Sequence, residues 1–175
     1  MALNTATPET SWGEVHLFIG TPGDGDTMST NMVDLGLIDE SGISIETSDG
    51  DSYELKDING KVHDKLVLEP TLSMTATLLK PSEETRGKFW EMEEEGSGDG
   101  RKVWVKSMIA NQKYSVKLAI PNRPNTETFE APYCTVTMKP SWSKEKGFTA
   151  EVKFDILEGK TGNAFGFGKP AATAE

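Results

Sequence analysis

The stretch FTAEVKFDI, residues 148–156, constrains the fold more than any other part of the chain. Phe148, Ala150, Val152, Phe154 and Ile156 alternate with Thr149, Glu151, Lys153 and Asp155. Successive side chains of a β-strand point to opposite faces, so this segment buries one face and wets the other. A helix would scatter the same apolar residues around its circumference and leave no stripe to bury. The period recurs along the chain. Val15, Leu17 and Ile19 share one face of EVHLFIG, with His16 and Phe18 on the other. Leu72, Met74, Ala76 and Leu78 line one face of TLSMTATLL. MVDLGL, KLVLEP, KVWVKSMI, YSVKLAI and YCTVTMK complete the strand candidates.

Turn chemistry divides these strands. GISIETSDGDSYELKD reads as a hairpin: Ile43 and Ile45 alternate with polar residues, the turn centres on Gly50, and Tyr53 and Leu55 lie on the return strand. Asp-Gly favours such turns because glycine accepts positive φ. Asn59-Gly60 marks a second turn. One helix is expected, around 82–95. Ser82 is its N-cap behind Pro81, Glu83 and Glu84 complement the positive end of its dipole, and Thr85, Phe89 and Met92 lie on one side. Strands, one helix, then strands predict a mainly β fold, a β-sandwich or barrel with one flanking α-helix. The domain spans 13–158. Small polar residues 1–12 read as an N-terminal arm, and Gly- and Ala-rich residues 159–175 as a C-terminal tail. The length of 175 residues suits a single domain.

The charge balance excludes one class of partner. Lys and Arg total 18 against 28 Asp and Glu, a formal net charge of −10. Such a chain does not hold duplex DNA by neutralising its phosphates, which needs clustered cations. No apolar run reaches the roughly 18 residues of a membrane-spanning helix. The N-terminus has neither the basic start nor the apolar stretch of a secretory signal. Cys134 is the only cysteine, so no internal disulfide forms.

Three motifs come close to chemistry. GTPGDGDT, residues 20–27, spaces Gly20, Gly25 and Thr27 as in a phosphate-binding loop, but Asp26 stands where the lysine belongs. Asp24 and Asp26 would repel the phosphates a lysine attracts, and no amphipathic helix follows. The loop therefore reads as a surface turn. Asp49 and Asp51 match the first two ligands of a calcium loop, but Glu54 occupies the glycine position and Gly60 the bidentate glutamate position. His16 and His63 sit in no ligand cluster, and Cys134 reads as a small core or interface residue. No nucleophile, acid–base pair or metal cluster has convincing spacing, so an enzyme is not expected, and neither is a cofactor. Negative charge near a helix C-terminus is unfavourable, so Glu91, Glu93, Glu94, Glu95 and Asp99 call for compensation, for instance from a neighbouring chain.

One ordered combination is more specific. Leu35-Gly36 is followed by the glycine-led strand Gly42-Ile43-Ser44-Ile45, then the acidic stretch Glu46 to Glu54. Asp57-Ile58-Asn59-Gly60 comes next, then Leu66 to Leu79 and the capping Ser82. This order resembles the tail tube proteins of long-tailed bacteriophages. It covers about a third of the chain directly. Lys61-Val62-His63-Asp64 departs from the family, whose members often carry a Pro-containing link there.

The resemblance implies a tail-tube-like fold in a structural protein of the virion tail, assembled in the host bacterial cytoplasm. It implies homo-oligomerisation into stacked, hexameric rings around a channel for genome passage. The implied partners are tape-measure and tail terminator or initiator proteins. DNA passes without specific binding, and no membrane is involved. Glu46, Asp49, Asp51 and Glu54 are the candidate channel-lining or hairpin acids, and Trp12, Phe165 and Phe167 the candidate subunit contacts. Two alternatives stay open. One is a tube subunit of a contractile injection or type VI-like secretion system. The other is a carbohydrate- or protein-binding β-sandwich using exposed aromatics such as Trp104 and Trp142.

Overall fold

The computed structural model describes residues 14–121 and 126–168. Strands account for 59% and helix for 5% of the described residues, so the protein is mainly β. In chain order the strands begin with β1 (His16–Gly20), β2 (Val33–Asp34), β3 (Ile38–Ser48), β4 (Ser52–Lys56), β5 (Val62–Val67) and β6 (Thr71–Leu79). The helix α1 (Glu83–Gly87) follows, then β7 (Trp90–Glu95) and β8 (Lys102–Met108). The last four are β9 (Lys113–Ala119), β10 (Thr128–Ser143), β11 (Gly147–Ile156) and β12 (Gly166–Gly168).

One antiparallel sheet has the order β2-β1-β9-β10-β11-β6-β3, with β12 pairing to the first residues of β10. Its two outermost strands, β2 and β3, are consecutive in the chain, and only residues 35–37 separate them. Fully extended chain advances at most about 3.8 Å between neighbouring Cα atoms, so Asp34 and Ile38 lie within about 15 Å. A flat sheet of this width would hold its edges roughly 29 Å apart, at about 4.8 Å per strand spacing. The sheet therefore curls. The link is bonded to both sides: Leu35 N–H donates to the Leu17 carbonyl at 2.9 Å, and Leu79 N–H donates to the Leu37 carbonyl at 2.8 Å. Gly36, at φ +100°, lets the link turn between these two bonds.

The core fills the inside of the curl. Leu17 and Ile19 of β1, Met74 and Leu78 of β6, Val116 of β9, Val136 of β10, and Val152 and Phe154 of β11 are fully buried. Their partners in register carry the same alternation: Phe154 stands between Met74 and Val136, and Val152 between Ala76 and Met138. Inward Phe148, Ala150, Val152, Phe154 and Ile156 follow the pattern read from the sequence, all joining or packing on one cluster. Pro132 sits where the β9–β10 register shifts between Ala131 and Cys134, a place where its missing N–H breaks no ladder bond.

Three sequence expectations need correction. The helix expected around 82–95 ends at Gly87. Ser82 caps it as expected, its hydroxyl accepting from Thr85 N–H at 3.1 Å. From Trp90 the chain is a strand pairing with β8. Trp90 is buried and its indole donates to the Met138 carbonyl at 3.0 Å, which anchors β7 to the barrel.

The hairpin expected at residues 48–51 is also absent. Ile43–Ser48 pairs with β6 instead, and β4 pairs with β5. The two ladders are collinear in sequence, so residues 38–79 make one long hairpin whose turn is Asp57–Lys61, with β3 and β6 in the sheet and β4 and β5 at its far end. There Gly60 adopts φ +80° and the Asp57 carboxylate accepts from the Asn59 and Lys61 N–H groups. Gly50 does not take the positive φ of a two-residue turn. It allows close approach: a Cβ built on it would lie 1.7 Å from the Leu68 carbonyl oxygen. Finally, part of the segment expected as a tail from residue 159 belongs to the sheet, because β12 pairs with Thr128–Glu130. The expected arm at 1–12 lies outside the described residues.

Two outcomes test this account. Phe154→Ala removes a fully buried ring from the centre of the core and should cost about 3–5 kcal/mol, read as a lower urea midpoint at unchanged m-value. Gly50→Ala should force β4 and β5 apart at their base. Faster hydrogen exchange at the Leu68 amide, which donates to the Asp51 carbonyl at 2.8 Å, reports it, while core amides keep their protection.

Candidate functional site

Beyond the curled sheet the structure carries four exposed features. The first is the distal arm, β4 and β5. Tyr53 stands opposite Leu66, and Leu55 lies two residues along on the same face. Their exposures are 60%, 60% and 67%. The other face is tied by ions: Glu54 pairs with Lys56 at 2.9 Å and with Lys65 at 3.8 Å. Every residue of β4 and β5 is exposed, so this face, on which Asp64 stands opposite Leu55, is largely open to solvent.

Of the candidate acids, one lies on this arm and three lie before or at its base. Glu46 is on the solvent face of β3, where it accepts from the Ser44 hydroxyl at 3.1 Å. Asp49 and Asp51 sit at the junction, and Glu54 is on β4. Among the described residues Glu46, Asp49 and Asp51 form no ion pair, whereas the charge of Glu54 is compensated by its two lysines.

The second feature is the β7–β8 hairpin. Several of its acids find partners within the chain. Arg101 pairs with Glu83 and with Glu94, Lys106 pairs with Glu93 at 2.8 Å, and Ser107 donates to Glu91 at 2.8 Å. The Trp104 indole donates to Glu95 at 2.6 Å. Because residues 90–95 form a strand, the helix-dipole penalty does not arise. Trp104 and Trp142 are both exposed but lie on different sheets.

The third feature is an aromatic knob. Phe129 is buried at the start of β10, and Phe165 and Phe167 pack on it with ring centroids 5.8 and 5.9 Å away. Phe165 and Phe167 contact each other edge-on at 6.2 Å and remain exposed. Trp12, the third candidate contact, lies outside the described residues.

The fourth feature is a cleft of about 790 Å³ where the 35–37 link meets the end of β6 and the start of α1. Leu35, Leu37, Leu79 and Pro81 give it apolar walls. At its side Asp39 is buried and holds Lys146 Nζ at 2.9 and 2.8 Å. Sequence reasoning missed this pair, because residues 39 and 146 meet only after the sheet closes. The Lys146 ammonium, followed by the Ser41 N–H, holds the Asp39 carboxyl below its usual range. Asp39 in turn raises Lys146 above the usual lysine range.

The loop at residues 20–27 does not offer a phosphate cradle. Gly23 N–H donates to the Thr27 carbonyl at 3.0 Å and Asp26 N–H to the Gly23 carbonyl at 3.1 Å, so these donors point into the turn itself. The Asp26 carboxylate accepts from Lys160 N–H at 3.1 Å, fastening the turn to the C-terminal segment. Cys134 is buried, and desolvation pushes its thiol up to about 12, far from a nucleophile's range. Among the described residues no group of three or more His, Cys, Asp or Glu could hold a metal ion. No described helix is long and apolar enough to cross a membrane.

No protein-family model matches the chain, and no curated protein is significantly similar to it.

The Asp39–Lys146 pair sets a pH window. The folded Asp39 has the lower pKa, so its contribution to stability is present above the unfolded value, about 3.9, and is lost as pH falls through the folded value. Lys146 is raised, so its contribution is complete below about 10.4 and is lost as pH rises through its folded value. Asp39→Asn should therefore lower the urea midpoint at pH 7, with the gap to the parent narrowing at pH 3. For the turn at 23–27, Asp26→Lys should create no measurable affinity for ATP or GTP by calorimetry, because it leaves the inward donors unchanged.

Proposed function

We propose that this protein is a structural subunit that assembles with copies of itself into stacked rings forming a phage tail tube, and that it is not an enzyme. The observation that carries the reading is the distal arm. An isolated two-stranded hairpin is marginal in water and needs a third strand or a packing surface. Here β4 and β5 project with Tyr53, Leu55 and Leu66 on a face left largely open to solvent. A neighbouring copy supplies the missing surface. Free edges support the same view: β3 and β8 each pair on one side only, and an edge strand of this kind is a template for another chain.

The solvent face of the sheet suits a channel wall. Ser44, Ser73, Thr75, Thr77 and Thr137 present short hydroxyls along it. Lys153 pairs with Asp155 at 3.0 Å, Lys139 stands opposite Glu151, and Lys113 donates to the Thr135 hydroxyl at 2.7 Å. Such a wall offers no cation cluster to grip phosphates. Glu46, Asp49 and Asp51, repeated around a ring, add repulsion that acts within about 8 Å of the surface at physiological salt. Genome passage without binding follows from both properties. Tape-measure, terminator and initiator proteins are the partners this role requires.

Purified protein at high concentration should show rings or tubes by electron microscopy and sedimentation. A chain that stays monomeric even with tail initiator proteins present overturns the proposal. Replacing Tyr53, Leu55 and Leu66 together with serine should abolish assembly while shifting stability by no more than about 0.5 kcal/mol per site, since all three side chains are exposed.

A further inference from the structure

The hairpin of residues 38–79 carries uncovered apolar surface at both extremities. At its base, Leu37 and Leu79 line the cleft together with Leu35 and Pro81. At its tip, Ile58 is fully exposed. Turns are built mostly from Gly, Pro, Asn, Asp and Ser, each for a local reason. Asp57, Asn59 and Gly60 follow that rule, whereas the Ile58 side chain can give the turn no hydrogen bond. Tip and cleft cannot meet within one molecule. Along β6, Thr71 to Leu79 spans on the order of 26 Å, at about 3.3 Å per residue. Thr71 stands opposite Ser48, and the arm continues beyond that pair. Nor does the arm fold back over the sheet, because every residue of β4 and β5 is exposed. We propose that tip and cleft meet between molecules: Ile58 of one copy seats in the cleft beside Leu37 of the next.

The two surfaces match in shape and charge. The cleft, about 790 Å³, has the size of sites that enclose a small ligand, so it admits an isoleucine side chain with part of its turn. The tip is shaped before docking. Asp57 N–H donates to the Lys61 carbonyl at 3.0 Å and Gly60 N–H to the Asp57 carbonyl at 2.9 Å. The Asp57 carboxylate also meets His63 Nε2 at 2.9 Å. Little backbone freedom is left to lose on seating. Residues 56–63 carry two lysines against one aspartate, and the cleft lining carries three acids against two lysines. Lys61 is exposed, and among the described residues no carboxylate pairs with it. Glu40 is exposed at the cleft, 3.8 Å from Lys146, whose closer contact is Asp39. Every copy holds one tip and one cleft, so the contact is heterologous and propagates from copy to copy. A single side chain in a pocket is an anchor, and Tyr53, Leu55 and Leu66 along the arm add area beside it. This inference rests on the self-assembly reading and names the place on a neighbour that receives the arm.

Crosslinking tests it. Leu37→Cys and Ile58→Cys are placed in one chain. Both positions are exposed, so folding is retained, and buried Cys134 stays silent. A short bismaleimide added at the concentration that gives rings should convert most of the double variant into dimers, trimers and longer species on a denaturing gel. Each single variant should stay monomeric. In the otherwise unchanged chain, Ile58→Asp should raise the concentration needed for assembly by about tenfold or more, with the urea midpoint unmoved. Rings or tubes seen by microscopy with no ladder from the double variant, or an Ile58→Asp chain that assembles as the parent does, overturn the tip-and-cleft contact and leave the tube reading standing. Dimers from either single variant mean a symmetric contact and overturn the head-to-tail arrangement. A parent chain that gives no rings, with no ladder from the double variant, overturns both proposals.

Discussion

Closure of the sheet by Leu35, Gly36 and Leu37 is the constraint on which the rest depends. Three residues carry the chain from one edge to the other and bond to both. Leu35 is also a core residue, so the link is held by apolar packing as well as by its hydrogen bonds. With the edges drawn together, the curled sheet supplies most of the wall of its own core, and Phe89 and Trp90 at the start of the β7–β8 hairpin add to it. The closure also fixes where the cleft forms and brings Asp39 to Lys146 across the mouth of the β10–β11 turn.

The same closure explains why the arm stands free. β3 is tied to the curl at its beginning and runs on to Ser48 beside β6, beyond the part of the sheet that wraps the core. Burial fades along it, from the half-buried Ile43 to uninterrupted exposure from Ser44 to Ser48. What projects must be soluble on its own and adhesive to a partner. The arm separates these demands by face, with ion pairs around Glu54 on one and Tyr53, Leu55 and Leu66 on the other. The exposed parts of knob, cleft and arm rest on the core without filling it, so the domain can fold first and associate afterwards.

Most of the barrel was legible because a half-buried strand writes its period directly into residue order. β11 is the clearest case, and β1, β6 and β9 follow. The failures have physical causes. Thr85, Phe89 and Met92 have helical spacing, but Trp90 and Met92 also alternate with Glu91 and Glu93. The strand won because Trp90 gains burial and a hydrogen bond to Met138, a residue far away in sequence. Gly50 carries a strong local turn signal, yet β3 gains a longer ladder with β6 than it could form with β4. The knob joins Phe129 to Phe165 and Phe167, and the cleft joins residues near 37, 80 and 146. Such meetings are set by tertiary closure and leave no local trace.

The pairing of β1 with β9 has a consequence for how the chain is made. His16 lies opposite Ala119, and between them the ribosome must deliver about a hundred residues. At roughly 5–20 residues per second, the first strand waits on the order of 5–20 s for its neighbour to exist. Contacts of such long sequence separation also slow the search itself, placing β-rich domains in the millisecond-to-second range. During that interval the β3–β6 ladder, whose strands are near in sequence, can form alone. The order of birth thus favours an outstretched limb first and a sealed body last, so each newborn subunit becomes competent to join its fellows only after translation has nearly ended.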